Sequence, residues 1–407
     1  MRRPLQLIGE TYLLGSAALA FSLMAFSVAG IRWSRTVVIV AAIMILIASI
    51  LAIRRQRPFE WPSLGWANLI DLLTLALIAG YVRVTTLAPP AEADFYAIWG
   101  AKAKQFFMTG GIDWRFLADP LNFPSHVDYP ILQPLLYDVQ ALLLGRWPDE
   151  RWLGLVHIAA SGAALLVIRG YLADEMPKLA RAAATLILMP LVFSPFFGLP
   201  EGLLAVYGTL ALLFLRRAIR DDDAGLALRG AVYLGLAASC KNEGLSLAIA
   251  IALALLLTRP RFVIRLWPAL AIALPWLLLR SYYGLRNDLV QEGLMGRMTA
   301  HLTHPGPMLR ALVEVPHGSN LFWIGVVLAC AIGVRRLVRE ERFLALAILG
   351  QLLFFIGAYI VTPNEVVWHV RTSWERLARQ LLPAVALLAL LVTVIRFRVG
   401  DTNATDS

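Results

Sequence analysis

Apolar runs of about 20 residues recur along almost the whole chain, and this repetition constrains the fold more than any single motif. A bilayer has a hydrocarbon core ~30 Å thick, which a helix of about 20 residues crosses. Hydrophobic residues make up 59% of the 407 residues and charged residues 16%, which is far more apolar than a soluble protein of this length requires. We therefore expect an all-α polytopic membrane protein with about 12 transmembrane helices.

The expected spans are Ile8–Gly30, Thr36–Ile53, Leu69–Leu87, Trp152–Tyr171, Leu179–Phe196, Leu203–Leu215, Leu226–Ser239, Leu245–Leu257, Ile264–Tyr282, Leu321–Val338, Phe343–Val361 and Leu381–Ile395. The interval 129–145 is also apolar, but Pro130, Pro134 and Asp138 favour an interfacial or re-entrant helix there. A true span is the alternative, and it would invert the topology of everything that follows.

Basic residues concentrate in alternate connections, and this explains a net charge of +10 without nucleic acid as a partner. The basic connections hold Arg54, Arg55, Arg57, Lys178, Arg181, Arg216, Arg217, Arg220, Arg259, Arg261, Arg335, Arg336, Arg339, Arg342, Arg396 and Arg398. The positive-inside rule places them and both termini in the cytoplasm. The remaining connections then share the outer face. Cys240 and Cys330 lie in apolar runs and form neither a disulfide framework nor a metal-ligand pattern.

The chain divides into three parts on this interpretation. Residues 1–65 form an accessory transmembrane hairpin, 66–399 form one membrane domain, and 400–407 form a disordered tail. The first outer loop, 88–150, contains interfacial helices, of which the segment Phe95–Phe107 is amphipathic. The outer loop 283–320 is expected to be mobile and to cover a site.

Two aspartates of the first outer loop are candidates for chemistry. Asp94 follows Pro89–Pro90 at the start of the amphipathic segment, where it either caps a helix or acts as a general base. Asp128 precedes Tyr129–Pro130, where it either caps the next helix or serves as a second active-site carboxylate.

Later outer connections add cations that could bind phosphate. Lys241 and Glu243 interrupt an apolar hairpin, where they either form a wetted turn or present the lysine to a phosphate. The segment Thr362–Gln380 is either a surface amphipathic helix or a guanidinium site for phosphate, and it carries Glu365, His369, Arg371, Glu375, Arg376 and Arg379.

Three further outer residues weigh less. His301 and His304 could share a helical face, but they lack an adjacent acid and Pro305 ends any helix, so we favour no metal. Glu201 follows Pro200 at the start of a span, and its local context indicates a structural acid.

The order of these short motifs resembles the GT-C superfamily of integral-membrane glycosyltransferases, most of all the bacterial protein O-mannosyltransferase and aminoarabinose-transferase branches. The motifs are Asp94-x(4)-Trp99-x(2)-Lys102-x-Lys104, Asp128-Tyr129-Pro130-x(3)-Pro134-Leu135-Leu136, Lys241-Asn242-Glu243-Gly244 and Trp368-His369-x(3)-Ser373-x(2)-Arg376-x(3)-Gln380-x(2)-Pro383. The resemblance covers roughly Asp94 to Pro383. It departs from the family in its acidic pair, Glu92 and Asp94, and in two extra spans before the first outer loop.

The resemblance implies a helical bundle with juxtamembrane helices and a polyprenyl-phosphate sugar as the donor. It makes Asp94 the catalytic base, with inversion at the sugar carbon, and it places the leaving phosphate at Lys241, Arg371 or Arg376. We further expect Lys102 and Lys104 near the lipid phosphate or in the headgroups, and Asp128 orienting the acceptor. Substrate contacts are expected from Glu92, Tyr129, Glu243, His369 and Glu375, and no cofactor is expected.

The sequence therefore predicts a glycosyltransferase in the bacterial inner membrane with its active site on the periplasmic face. Its expected partners are a polyprenyl-phosphate sugar, membrane lipids and an extracytoplasmic acceptor. A transporter or lipid-linked-sugar flippase is the main alternative, since it would also place charges in a membrane cavity. A scaffold subunit of an envelope-polysaccharide complex is the third.

Overall fold

The structure is a computed structural model, and it describes residues 4–54, 65–87, 89–90, 92–193, 198–287, 293–315 and 320–393. Some of the predictions above lie outside the described residues. They concern Arg55, Arg57, Arg396 and Arg398, which were expected in the cytoplasm, and the tail 400–407.

The regular structure of the described residues is entirely helical, as predicted, and contains no strand. The α-helices are α1 Pro4–Val28, α2 Arg35–Arg54, α3 Ala67–Leu87, α4 Gly100–Thr109, α5 Trp114–Ala118, α6 Leu132–Leu144, α7 Glu150–Leu172, α8 Lys178–Val192, α9 Glu201–Asp221, α10 Ala224–Ala238, α11 Asn242–Thr258, α12 Trp267–Tyr282, α13 Leu294–Thr303, α14 Gly306–Glu314, α15 Asn320–Ile332, α16 Val334–Arg339, α17 Arg342–Val361, α18 Val366–Arg379 and α19 Leu382–Thr393. A π-helical turn spans Phe95–Trp99, and 3₁₀ turns span Pro120–Ser125 and Pro260–Leu266.

Six helical segments of the described chain are long and apolar enough to cross a membrane, which is the composition of an integral membrane protein. They are α1, α3, α7, α9, α17 and the continuous segment Pro260–Tyr282. Helices α18 and α19 form a pair bent by 51°, and counting this pair as one span gives seven. The predicted total of about 12 is not confirmed, because other expected spans, such as α10 and α11, are shorter than 18 residues.

Helix α9 lies at the centre of the bundle, with buried residues on all of its faces. It packs against α7, α10 and α19, and its closest neighbour is α10. Gly230 of α10 lies so close to Leu215 that an added Cβ would come within 2.7 Å of that side chain. Small residues at such crossings allow helix backbones to approach, which is the usual way that apolar helices associate in a membrane.

The two ends of α9 carry different charge clusters. Glu201 begins the helix and Arg216 lies 15 residues later, about 22 Å away at ~1.5 Å per residue. Arg216 is buried, pairs with Glu341 and Glu175, and donates to the Tyr171 hydroxyl at 2.7 Å. The three partners of Arg216 are two carboxylates and one hydroxyl that accepts a hydrogen bond. This second cluster, the Arg216 cluster, therefore links α7, α9 and the start of α17.

The described residues of the segment expected to be the first outer loop fold against the bundle as a set of short helices. Helix α6 has 13 residues, too few to cross a ~30 Å core, and it packs against α1, α4 and α7. Ten of those residues, including Gln133 and Asp138, are buried in protein rather than lying at a lipid surface. Burial raises the pKa of Asp138 well above its ordinary value.

The N-terminal helix shares the main core. Leu13, Ala20 and Leu23 of α1 have no exposed surface, and α1 packs along α7. An added Cβ at Gly9 would come within 2.4 Å of the Ala163 carbonyl oxygen, which shows how closely these two helices approach.

Candidate functional site

Asp94 is positioned by a π-helical turn that packs on a glycine. Phe95, the first residue of the turn, is 1% exposed, and it lies against Gly198 and Gly100. Gly198 has a φ of +87°, and an added Cβ there would come within 2.5 Å of the Phe95 side chain. This contact ties the segment that carries Asp94 to the connection that leads into α9.

Asp94 stands at one end of a chain of alternating charges, the charge network. Its carboxylate accepts a hydrogen bond from Arg376 at 2.7 Å, and Arg376 lies 3.5 Å from Glu201. Glu201 pairs with Lys241 at 3.0 Å, and Lys241 pairs with Glu243 at 2.7 Å. Glu201 and Lys241 are buried, whereas Asp94 is about one-third exposed.

The charge network is nearly balanced, and this explains how it can be buried. Three carboxylates surround two cations, so each cation has at least two acidic neighbours. Burial alone would lower the pKa of Lys241, but the carboxylates of Glu201 and Glu243 outweigh burial and raise it. Removing Lys241 would leave Glu243 without its cation and the buried Glu201 with only Arg376, which is costly in a low-dielectric interior.

A cavity of about 360 Å³, the network cavity, opens beside these charges. Its wall contains hydroxyl, amide and imidazole groups together with members of the charge network; the polar lining residues are Tyr129, Lys241, Asn242, Glu243, Ser246, Asn287, Tyr359, Asn364, His369, Ser373 and Arg376. His369 contacts the Thr362 hydroxyl at 2.7 Å, and the Tyr359 hydroxyl contacts Ser373 at 3.0 Å. Groups of this kind bind the hydroxyls of a polar substrate.

Asp128 is buried next to the network cavity rather than open to it. Its side chain is 1% exposed, and one carboxylate oxygen accepts hydrogen bonds from Asn242 at 2.8 Å and Asn287 at 2.7 Å. The Trp276 indole donates to its backbone carbonyl oxygen at 3.2 Å, and Arg280 lies 3.7 Å from the carboxylate. Asp128 therefore holds two cavity-lining amides in position, while its own side chain is not open to the network cavity.

Lys102 is fully buried, so in this structure it reaches neither headgroups nor solvent. It donates a hydrogen bond to the His126 carbonyl oxygen, and its ammonium lies 5.5 Å from the centre of the Trp99 ring and 5.8 Å from that of Tyr129. Burial lowers the pKa of Lys102 to about 7, against the opposing charge of Asp128. The sequence analysis expected Lys102 near the lipid phosphate or in the headgroups. In the structure it packs instead against the segment from His126 to Tyr129.

Four other predicted residues lie apart from the charge network. Arg371 pairs with Glu314 at 2.8 Å on the surface, and Glu375 pairs with Arg379 within α18. Lys104 is exposed on α4, and Glu92 is half-buried two residues before Asp94. The structure thus brings together Asp94, Lys241, Glu243 and Arg376, with His369 and Tyr129 in the adjacent wall.

Glu201 is the member of the network that sequence reasoning did not select. It is the first residue of α9 and touches both cations. In the sequence, Glu201 is an acidic residue at the start of an apolar span. Ordinary acids in the first turn of a helix show the same pattern, so the sequence did not distinguish Glu201 from them. Asn287 carried no local signal at all.

Within the interval 283–320, where a mobile outer loop was expected, the described residues form helices α13 and α14. Helices α13 and α14 pack against α17 and α18, and the His301 ring contacts the Ile360 carbonyl oxygen at 2.8 Å. Among the described residues, no group of three His, Cys, Asp or Glu side chains has the arrangement of a metal site.

Comparison with known proteins leaves the site to be interpreted from its own geometry. No family model matches this chain, and no curated protein or solved structure matches it.

Proposed function

We propose that this protein is a membrane glycosyltransferase that moves a sugar from a polyprenyl-phosphate carrier to an extracytoplasmic acceptor, with Asp94 as the general base. The observation that carries the proposal is the charge network, which has a partly exposed carboxylate at one end and a polar cavity beside it. The proposed topology has about 12 spans in a bacterial inner membrane, with Asp94 on the periplasmic face.

The proposed reaction is one in-line displacement at the anomeric carbon. An acceptor hydroxyl oxygen forms a bond to that carbon while the bond from the carbon to the phosphate oxygen breaks. The hydroxyl proton passes to the Asp94 carboxylate, and the electron pair of the broken bond stays on the departing polyprenyl phosphate. A positioned base contributes about 10²–10⁴-fold to such a rate.

Arg376 supports this assignment by orienting the base. Its guanidinium donates to one oxygen of Asp94 at 2.7 Å and is held from behind by Glu201 at 3.5 Å. Among the described residues, no hydrogen bond or ion pair reaches the other carboxylate oxygen of Asp94, which is therefore available to accept a proton. A carboxylate held on one side in this way loses little orientational freedom when the acceptor binds.

The position of the charges favours an enzyme over a transporter. The charge network lies at one end of α9 and the Arg216 cluster at the other, and the α9 residues from Leu203 to Leu215 between them are apolar except for Tyr207 and Thr209. Transporters instead place ionisable groups near the membrane midplane on interrupted helices.

The test compares wild type with Asp94→Asn in liposomes that contain polyprenyl-phosphate sugars and envelope extract. We expect wild type to release free polyprenyl phosphate and Asp94→Asn to do so about 10²–10⁴-fold more slowly. Asp149→Asn is the matched control, because Asp149 is an exposed aspartate paired with Arg151 and lies outside the charge network.

Two results would count against the proposal. Equal release by wild type and Asp94→Asn would remove Asp94 from the chemistry. Movement of labelled lipid between leaflets without any release would replace the enzyme with a flippase.

A further inference from the structure

A second polar cavity, the arginine cavity, lies on the other side of Asp128. Its volume is about 1160 Å³, and its lining includes Arg280, Arg286 and Asn287. Val127 lines this cavity and Tyr129 lines the network cavity, so the two cavities flank the segment 127–129. Asn287 lines both, which places the cavities side by side.

The cations of the two cavities differ in how far they are neutralised. Lys241 and Arg376 in the network cavity are each held by two carboxylates. In the arginine cavity, Arg280 is 3.7 Å from a single carboxylate, that of Asp128, which already accepts from two amides. Arg286 is exposed and has no ion-pair or hydrogen-bond partner within the described part of the chain.

The arginine cavity therefore suits an anion better than the network cavity does. Two guanidinium groups line it against one aspartate, Asp119, whose carboxylate caps the backbone N–H of Leu121. A guanidinium carries five N–H donors in a planar fork that matches phosphate oxygens. The two cations that line the network cavity, Lys241 and Arg376, are instead each already paired with two carboxylates.

An apolar groove of about 710 Å³ lies along the part of α12 that precedes Arg280. The groove runs between α1 and α12 and includes Ala25, Ala271, Pro275 and Leu279. Its lining on α12 ends at Leu279, and the lining of the arginine cavity begins at the next residue, Arg280. Leu278 is 59% exposed, so the groove is open to the hydrocarbon surroundings of the bundle.

We propose that the arginine cavity and this groove together bind the lipid-linked donor, with its phosphate between Arg280 and Arg286 and its polyprenyl chain between α1 and α12. This inference rests on the proposed function and places the donor phosphate at Arg280 and Arg286, whereas the resemblance implied Lys241, Arg371 or Arg376. The sugar would then extend past Asn287 into the network cavity. When the bond from sugar carbon to phosphate breaks, the electron pair remains on an oxygen that the two arginines face.

Charge complementarity selects a single anionic chain as the occupant. The groove offers one apolar channel ending at two cations, which matches a phosphate on one long hydrocarbon chain. A neutral polyprenol lacks the anion that the two arginines would pair with.

The test measures binding of undecaprenyl phosphate to purified protein in detergent, with undecaprenol and phosphatidylglycerol as comparison ligands. We expect wild type to bind undecaprenyl phosphate in preference to both. Arg280→Gln and Arg286→Gln should each weaken binding about 10- to 100-fold, because a hydrogen bond to a charged group contributes roughly 1.5–3 kcal/mol. Arg310→Gln, at an exposed arginine on α14, is the matched control and should bind like wild type.

The groove is tested separately. Ala25→Trp and Ala271→Trp fill it from exposed positions without disturbing buried packing, and they should weaken undecaprenyl phosphate binding while leaving binding of farnesyl phosphate, a much shorter chain, less affected. Ala76→Trp on the exposed face of α3 is the control.

The outcomes separate this inference from the proposed function. If wild type binds and transfers but the arginine and groove variants bind equally well, the donor site lies elsewhere and the glycosyltransferase proposal stands. If phosphatidylglycerol competes as well as undecaprenyl phosphate, the cavity is a general lipid contact and the inference fails. If wild type neither binds nor turns over any polyprenyl phosphate, both proposals fail.

Discussion

Replacing Lys241 by methionine is the sharpest test of the charge network. Lys241 is 5% exposed and lies 3.0 Å from Glu201 and 2.7 Å from Glu243. Methionine keeps the length and apolar stem of the side chain and removes its charge. Glu201, itself 8% exposed, would then keep one cation, Arg376 at 3.5 Å, and Glu243 would lose the only ion-pair partner that it has in the described part of the chain.

The expected loss of stability follows from these burials. Removing one partner of a buried ion pair costs about 3–5 kcal/mol, mainly because the remaining charge stays buried and unpaired. Arg376 still faces Glu201, and Glu243 is 20% exposed to water, so both carboxylates keep some compensation. We therefore expect the free energy of unfolding to fall by about 3 kcal/mol, at the lower end of that range.

The assay is reversible unfolding in one detergent at pH 7, followed by helical circular dichroism. Lys104→Met is the matched control, because Lys104 is an exposed lysine and its replacement should change the free energy of unfolding by less than about 0.5 kcal/mol. The double variant Lys241→Met/Glu201→Gln should recover about 0.5–3 kcal/mol relative to the sum of the single variants, since contacting charges are coupled. Equal stability of Lys241→Met and Lys104→Met, or strictly additive effects in the double variant, would refute the network as described.

Three further predictions concern the residues around the site. The pKa of Lys102 is about 7 in the folded state and 10.5 ordinarily, so the unfolded state binds more protons between pH 7 and pH 10.5. The free energy of unfolding should therefore rise with pH in this range, by at most about 1.4 kcal/mol per pH unit. Lys102→Met should remove this rise when unfolding is measured across pH 7–10. Gly198→Ala should destabilise the protein by more than Gly30→Ala in thermal unfolding, since both glycines have positive φ but only Gly198 has Phe95 within 2.5 Å of an added Cβ, and its turnover should fall as Asp94 shifts. Arg216→Met should cost about 3–5 kcal/mol in the free energy of unfolding while the turnover per folded molecule stays at the wild-type rate, because the Arg216 cluster lies at the far end of α9.

The first outer loop shows where local sequence pattern succeeds and where it stops. Its polar composition and prolines predicted short helices rather than a span, and α4, α5 and α6 are short helices. The same pattern suggested that Lys102 faces headgroups, as lysines on amphipathic helices commonly do. In the structure Lys102 is covered by the His126–Tyr129 segment, which lies 24 residues further along the chain.

The number of spans was a weaker prediction than the helices themselves. Hydropathy detects apolar runs, but it does not detect where a helix begins and ends within them. The end of α10 and the start of α11 lie close together. An added Cβ at Gly244 would come within 2.1 Å of the Ala237 carbonyl oxygen. The break between them, at residues 239–241, leaves both helices shorter than 18 residues.

The amino-acid sequence by itself determined that the chain is helical and apolar, because helix period and span length are local properties of composition. It also singled out Asp94, Lys241, Glu243 and Arg376, because a charged residue beside an apolar run is costly to bury unless it pairs with another charge or faces a cavity. Only the tertiary structure decided that Arg376 meets Asp94 across 282 residues of sequence, and that Glu201 lies between the two cations. The physical reason is that an ion pair depends on which helix ends the packing of the bundle brings together, and no local pattern encodes that distance.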